Sequence, residues 1–162
     1  MPESTTTPAR MYLVDTDVIS EVRKRAKANR GVRRFFSDAQ TKGDALYLSV
    51  ITLGEIRRGV ELIRHRGDTR QANQLEAWLT AVLKDFGDRI LDFSHDEAQV
   101  WGRLRVPHPE NAIDKQIGAT ALTHGLTLVT RNTAHFAGLG VTLVNPFIQP
   151  GSFASPSEPT RR

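Results

Sequence analysis

Short apolar runs that each end on a polar residue and then give way to a helix-like repeat recur along the chain, and this alternation constrains its fold more than any other feature. A strand over residues 12–14 ends at Asp15-Thr16-Asp17. The pattern then predicts one helix from about Val18 towards Lys27 and a second from about Gly31 to Gln40. The next strand falls at 45–49. Thr52-Leu53-Gly54-Glu55 has the spacing of a capping box, in which Thr and Glu side chains each accept a backbone N–H left free at a helix start. Leu53, Ile56, Val60 and Ile63 follow at helical intervals. A further helix carries Ala72, Leu75, Leu79, Val82 and Phe86 on one face and leads to a strand over 89–93. Ser94-His95-Asp96-Glu97 caps the next helix. After Pro107-His108-Pro109, Asn111 caps a helix through about His124, Gly125 ends it, and strands follow over 126–129 and 141–144. Strands that alternate with helices pair in parallel, because each crossover helix returns the chain to the same end of the sheet. The fold class is therefore α/β: an α/β/α sandwich around a central, mainly parallel sheet of about five strands.

With 162 residues there is room for one such core. The organisation expected is a flexible polar leader over 1–10, one domain over 11–148 and a flexible tail over 149–162. The leader lacks the apolar stretch of a secretory signal, and Met11, directly before the first strand, is a candidate natural start. A net charge of +4 and a pI near 9.8 favour an anionic partner such as nucleic acid. The absence of cysteine excludes disulfides, thiolate catalysis and Cys-based zinc sites together, and a cytoplasmic setting is the expectation. No membrane span is implied.

Three acids, Asp15, Glu55 and Asp114, lie far apart in sequence, yet each sits where an apolar segment meets a helix start. In an open parallel sheet the carboxyl ends of the strands and the starts of the following helices line one crevice. Two carboxylates about 5 Å apart repel by about 3 kcal/mol at an effective dielectric near 20, so convergence of three calls for a divalent cation or for protonation. Oxygen ligands alone suit Mg²⁺ or Mn²⁺, often completed by substrate phosphate. Each acid also has an ordinary explanation as a cap or turn residue. Gly59 and Gly118 lie one turn after Glu55 and Asp114 respectively, and they read either as close helix packing or as an open groove beside both acids. The basic run Arg23, Lys24, Arg25, Lys27, Arg30, Arg33 and Arg34 reads as a solvated helical face. Arg57, Arg58 and Arg131, close to the acids in sequence, are candidate phosphate anchors.

The stretches Leu13-Val14-Asp15-Thr16-Asp17-Val18-Ile19-Ser20-Glu21 and Leu48-Ser49-Val50-Ile51-Thr52-Leu53-Gly54-Glu55-Ile56-Arg57-Arg58-Gly59 come first, then Ile113-Asp114 through Ala119-Thr120-Ala121, then Leu128-Val129-Thr130-Arg131-Asn132. In this order and spacing the chain resembles the PIN-domain ribonucleases, specifically the VapC-type toxins of type II toxin–antitoxin pairs, over nearly all of 11–146. The resemblance implies a PIN-like sandwich and a Mg²⁺-dependent endoribonuclease, with Mn²⁺ as a substitute ion, whose metal-binding and catalytic acids are Asp15, Glu55 and Asp114. It further implies occlusion by a cognate VapB-like antitoxin and pairing into homodimers, often within a larger complex. One departure stands out. The family often carries a fourth acid at the position of Asn132, or three residues later where this chain has His135. Asn132 offers a carbonyl oxygen or a water-mediated contact, Thr130 is placed to position that water, and a tightly held second ion is not expected.

The mechanism expected places one Mg²⁺ on Asp15 and Asp114, with Glu55 completing the shell or orienting water for in-line attack on an RNA phosphodiester. Two other readings are weighed. Asp15-Thr16-Asp17-Val18 after a strand also resembles the nucleophile motif of haloacid-dehalogenase-like phosphatases, but the late acidic pair of that family is missing after residues 126–129. A noncatalytic module that binds nucleic acid or protein would make Asn132 the mark of a decayed site.

Overall fold

In the computed structural model, which describes residues 8–147, five strands line up as one parallel sheet. They are Met11–Val14 (β1), Ala45–Ser49 (β2), Ile90–Leu91 (β3), Thr127–Val129 (β4) and Leu143–Val144 (β5), in the order β3-β2-β1-β4-β5. Every neighbouring pair runs parallel. Six helices flank the sheet: Thr16–Val22 (α1), Arg30–Lys42 (α2), Val50–His65 (α3), Thr69–Phe86 (α4), His95–Leu104 (α5) and Ala112–His124 (α6). The mainly parallel α/β sandwich read from the sequence is the fold observed. The expected tail 149–162 and the first seven residues of the expected leader lie outside the described residues.

The period of two along β1 sorts the core into two layers. Tyr12 and Val14 join Val18, Ile19, Val32, Ile56 and Leu79 on one face, while Leu13 joins Ile117, Ala121, Leu128 and Phe136 on the other. From β1 the chain moves by way of α1 and α2 to β2 on one side, whereas β4 enters from α6 on the other. The strand order therefore reverses between β1 and β4, and a crevice opens at their carboxyl ends. The pairing of Val14 with Val129 sets the residues after each strand side by side.

Several boundaries differ from those expected. The first helix stops at Val22, because Arg25 takes a left-handed conformation with φ of 53° at the start of a 3₁₀ turn, Arg25–Lys27. A new helix then starts at Asn29, whose side chain accepts the N–H groups of Gly31 and Val32. The capping box expected at Thr52–Glu55 does not form. Ser49 caps α3 three residues earlier by accepting the N–H of Ile51 at 3.1 Å, leaving Thr52 buried inside the first turn. Ser94–Glu97 does form a capping box on α5. Asn111 occupies the cap position of α6 with φ of 55°, but without a side-chain bond to the helix. The start of α6 is tied down instead by the Trp101 indole N–H on the Ala112 carbonyl at 2.9 Å and by the Lys115 ammonium on the His108 carbonyl. The strands expected over 89–93 and 141–144 shrink to two residues each, at the two sheet edges.

Gly59 and Gly118, the helical glycines one turn after Glu55 and Asp114, each face a neighbouring side chain. A Cβ on Gly59 would lie 3.9 Å from Leu75 of α4, and one on Gly118 would lie 3.4 Å from the Phe136 ring. Phe136 closes the 3₁₀ turn Thr133–Phe136 and is 1% exposed. Both distances are ordinary van der Waals contacts, so packing alone does not require glycine at either position. A single methyl at position 118 meets Phe136 at ordinary contact distance and gains helix propensity. Gly118→Ala is expected to keep stability within about 1 kcal/mol of wild type, while Gly118→Val, which forces the ring aside, is expected to cost about 1–3 kcal/mol. Urea denaturation of the two variants measures the difference.

Candidate functional site

Asp15 directly follows β1 and is 3% exposed. It caps α1: one carboxylate oxygen accepts the Thr16 N–H at 2.7 Å, and the other accepts the Thr130 hydroxyl at 2.7 Å. Its own N–H bonds to the Val129 carbonyl at 2.9 Å, so the residue is built into the seam between β1 and β4. Burial, reinforced by the charge of Asp17 and then by that of Asp114, pushes the Asp15 carboxyl up to about 6, against the two hydrogen bonds that favour its charged form.

Asp17, in the first turn of α1, accepts the Arg131 N–H at 3.1 Å through one oxygen. Its other oxygen is buried with no hydrogen-bond partner. Burial raises its pKa as well, and Asp114 adds to the rise. Asp114 lies in the first turn of α6, and its Oδ2 stands 2.5 Å from His135 Nδ1. Glu55 reaches the same cleft from α3. Because α3 begins at Val50, Glu55 falls in the second turn and is not engaged in the cap.

One cleft thus gathers Asp15, Asp17, Glu55 and Asp114, with Ser20 and Asn132 as further polar lining and Ile113 and Ile117 as an apolar wall. The three acids expected from sequence are brought together, and Asn132 with them. Thr130 reaches the cleft only through Asp15. It is fully buried, donates its hydroxyl to that carboxylate and accepts the Asn132 N–H at 3.1 Å, so it orients the acid and is closed to solvent water. The arginines stand elsewhere. Arg57 is bound to Glu76 at 2.7 Å and to Glu61 at 3.4 Å on the α3–α4 surface. Arg58 lines a separate depression with Glu61, Leu62, Arg64 and His65. The Arg131 guanidinium lies 4.7 Å from the Phe147 ring centroid, although its charge still acts on Asp17.

Asp17 and Ser20 were not among the site residues expected from the sequence. The signal for Asp17 was its place two residues after Asp15 in a helix-start segment, where a turn of α1 returns it to the same crevice. Among the described residues, no three His, Asp or Glu side chains close around a single point as they stand. The acids ring the cleft instead. A divalent cation nevertheless suits this donor set: it would satisfy the orphaned Asp17 oxygen and offset the repulsion that raises Asp15 and Asp17.

Comparison with known proteins places the chain in a family. The model of the PIN domain family matches residues 12–140. The chain is 34% identical over 143 residues to VapC ribonuclease Y4jK of Sinorhizobium fredii, covering 85% of this chain and 98% of that one. It is 35% identical over 143 residues to Toxin FitB of Neisseria gonorrhoeae, covering 85% and 99%. The crystal structure of FitAcB from Neisseria gonorrhoeae superposes with a TM-score of 0.72 at 34% identity, covering 84% of this chain and 98% of its counterpart. A family match across most of the length, together with relatives above 30% identity along almost their whole chains, identifies this protein as a member of the PIN-domain family, among the VapC-type toxin nucleases.

Proposed function

We propose that this protein is a metal-dependent endoribonuclease that acts as the toxin of a type II toxin–antitoxin pair. The observation that carries the reading is the gathering of four carboxylates in one cleft at the carboxyl ends of β1 and β4, two of them, Asp15 and Asp17, held above their ordinary pKa. Asp15 and Asp114 would hold a divalent ion, Mg²⁺ or its substitute Mn²⁺, with Asp17 and Glu55 close enough to share in the shell or to orient the attacking water. When bound, the ion lowers the pKa of that water and offsets negative charge at phosphorus in the transition state. Thr130 fixes the rotamer of Asp15, and the Arg131 backbone N–H fixes Asp17, so both acids are preorganised. An RNA strand, single or looped, presents its phosphodiester to such an open cleft more readily than a duplex does.

The partner reading rests on relatives. One is named a toxin and another a VapC ribonuclease, and chains of the same fold have been solved in toxin–antitoxin complexes. A cognate VapB-like antitoxin that covers the cleft, and a homodimeric toxin within a larger assembly, are parts of the same proposal. Among the described residues no helix is long and apolar enough to cross a membrane.

Asp15→Asn and Asp114→Asn are each expected to lower metal-dependent cleavage of a panel of small structured RNAs by at least about 100-fold while leaving the circular dichroism spectrum unchanged. Wild-type cleavage by both variants would refute the assignment.

A second expectation follows from the charge of the cleft. In the metal-free protein the folded Asp15 carboxyl titrates near 6, above the ordinary 3.8, so the folded state holds a proton that the unfolded chain has released. Its contribution is favourable below pH 4 and is lost as the pH rises through 6, a change of about 3 kcal/mol. With EDTA present, wild type should therefore lose more thermal stability between pH 4.5 and pH 7.5 than Asp15→Asn does. Added Mg²⁺ should restore more of it at pH 7.5 than at pH 4.5. Parallel melting curves for the two proteins would show this, and identical pH profiles would exclude it.

A further inference from the structure

Residues 23–34, from the end of α1 into the first turns of α2, hold seven lysines and arginines and no acid, and all seven are exposed. Removing their seven charges would turn the chain's net +4 into −3, so the positive balance of the molecule lies in this one segment. Lys24 pairs with Glu21 at 2.7 Å and Arg34 approaches Asp38 at 3.7 Å. Among the described residues no acid pairs with Arg23, Arg25, Lys27, Arg30 or Arg33. The segment starts beside the cleft. Asp17 and Ser20 of α1 line the cleft, and Glu21 follows on the helical face of Asp17. Glu21 fastens both ends of the connection from α1 to α2, because one of its carboxylate oxygens accepts the Asn29 N–H at 2.9 Å and the other pairs with Lys24. The seven residues of α1 span about 10 Å, so the first free arginine stands about that far from the acids.

Arg25 adds a second observation. Its backbone is left-handed, with φ of 53°, a conformation that glycine adopts freely and that a residue with a Cβ rarely takes. The chain nevertheless keeps an arginine there. With Arg23 it stands at the rim of a depression of about 630 Å³ that Gln71, Gln74 and Trp78 also line and no acid enters. Both guanidinium groups are thus open to a ligand.

We propose that residues 23–34 form the substrate-binding track of this protein, with Arg23, Arg25 and Arg30 contacting phosphates of the RNA strand on one side of the bond to be cut. The inference rests on the reading of the cleft as an endoribonuclease site and says how the rest of the substrate is held. Four carboxylates repel a polyanion, and a divalent ion among them offsets charge at the scissile phosphate alone. Neighbouring phosphates need cations from outside the cleft, and such contacts position the strand without reading its sequence. Exposed cations without partners, beginning one helix length from the acids, meet that need.

The test uses the full chain purified without antitoxin. Affinity for a labelled single-stranded RNA of mixed sequence is followed by fluorescence anisotropy in EDTA, between about 50 and 200 mM salt. Wild type is compared with the triple variant Arg23→Gln, Arg25→Gln, Arg30→Gln, and with a control, Arg66→Gln, Lys84→Gln, Arg103→Gln, that removes three exposed cations from other elements. The first triple variant should bind at least about tenfold more weakly at low salt, and its slope of log affinity against log salt should be shallower by about 2, roughly 0.7 for each lost contact. The control should keep the wild-type slope. Arg25→Gly, which relieves the left-handed backbone, should lose affinity while keeping thermal stability, which separates lost contact from misfolding. In metal-dependent cleavage the first triple variant should raise KM and leave kcat nearly unchanged. No RNA binding by wild type, a wild-type slope in the first triple variant, or an equal change in the control would each overturn the track alone. Absence of RNA cleavage by wild type with Mg²⁺ or Mn²⁺ would overturn the nuclease reading on which it rests.

Discussion

A 2.7 Å hydrogen bond from Thr130 to Asp15 joins residues 115 apart in the chain, and the architecture of the cleft depends on it. Each partner is the first residue past a strand, and the parallel register of β1 with β4 is what makes them neighbours. The bond holds a nearly enclosed carboxylate whose burial and neighbouring acids work against its charge. Stability and chemistry pull in opposite directions at this point. The hydrophobic layers on both faces of β1 supply the stability, and the seam beyond the strand ends is where it is given up. Local strain of this kind is a feature of functional sites rather than a defect of folding.

The sheet was legible because its signals are local. Apolar runs followed by polar punctuation marked β1, β2 and β4 to within a residue, and the helical spacing of Ala72, Leu75, Leu79 and Val82 marked α4. Failures came where two local signals competed. Serine and threonine both favour cap positions; the spacing to Glu55 singles out Thr52, but the chain caps α3 with Ser49, and Thr52 is buried and bonds to Thr16. That choice changes the meaning of Glu55. A glutamate in the third helical position has a capping role, whereas one in the second turn is free to face the cleft. Nothing local to the sequence decides between them.

The arginines illustrate the reverse case, where proximity in sequence misleads. Arg57 lies two residues after Glu55, and two helical steps carry it to the far side of α3. There it joins Glu61, Arg64 and Glu76 in an ion-pair cluster that ties α3 to α4. The net positive charge of the chain says equally little about the cleft, which is lined by four carboxylates while Arg23, Arg25, Arg33 and Arg34 are exposed on the stretch from α1 to α2. Asp17 could not be ranked from the sequence, because its place in the cleft is fixed by the N–H of Arg131, 114 residues away.

The edges of the sheet bear on how this protein meets others. β3 and β5 are two residues long, so each edge exposes a ladder of only about 7 Å. A visiting strand could form few main-chain bonds there. Copies of the chain are thereby discouraged from stacking edge to edge into fibrils, and recognition by strand addition is a poor route for any binding protein. Association is left to the outer surfaces of the helices, where side-chain identity rather than generic backbone pairing decides which partner fits.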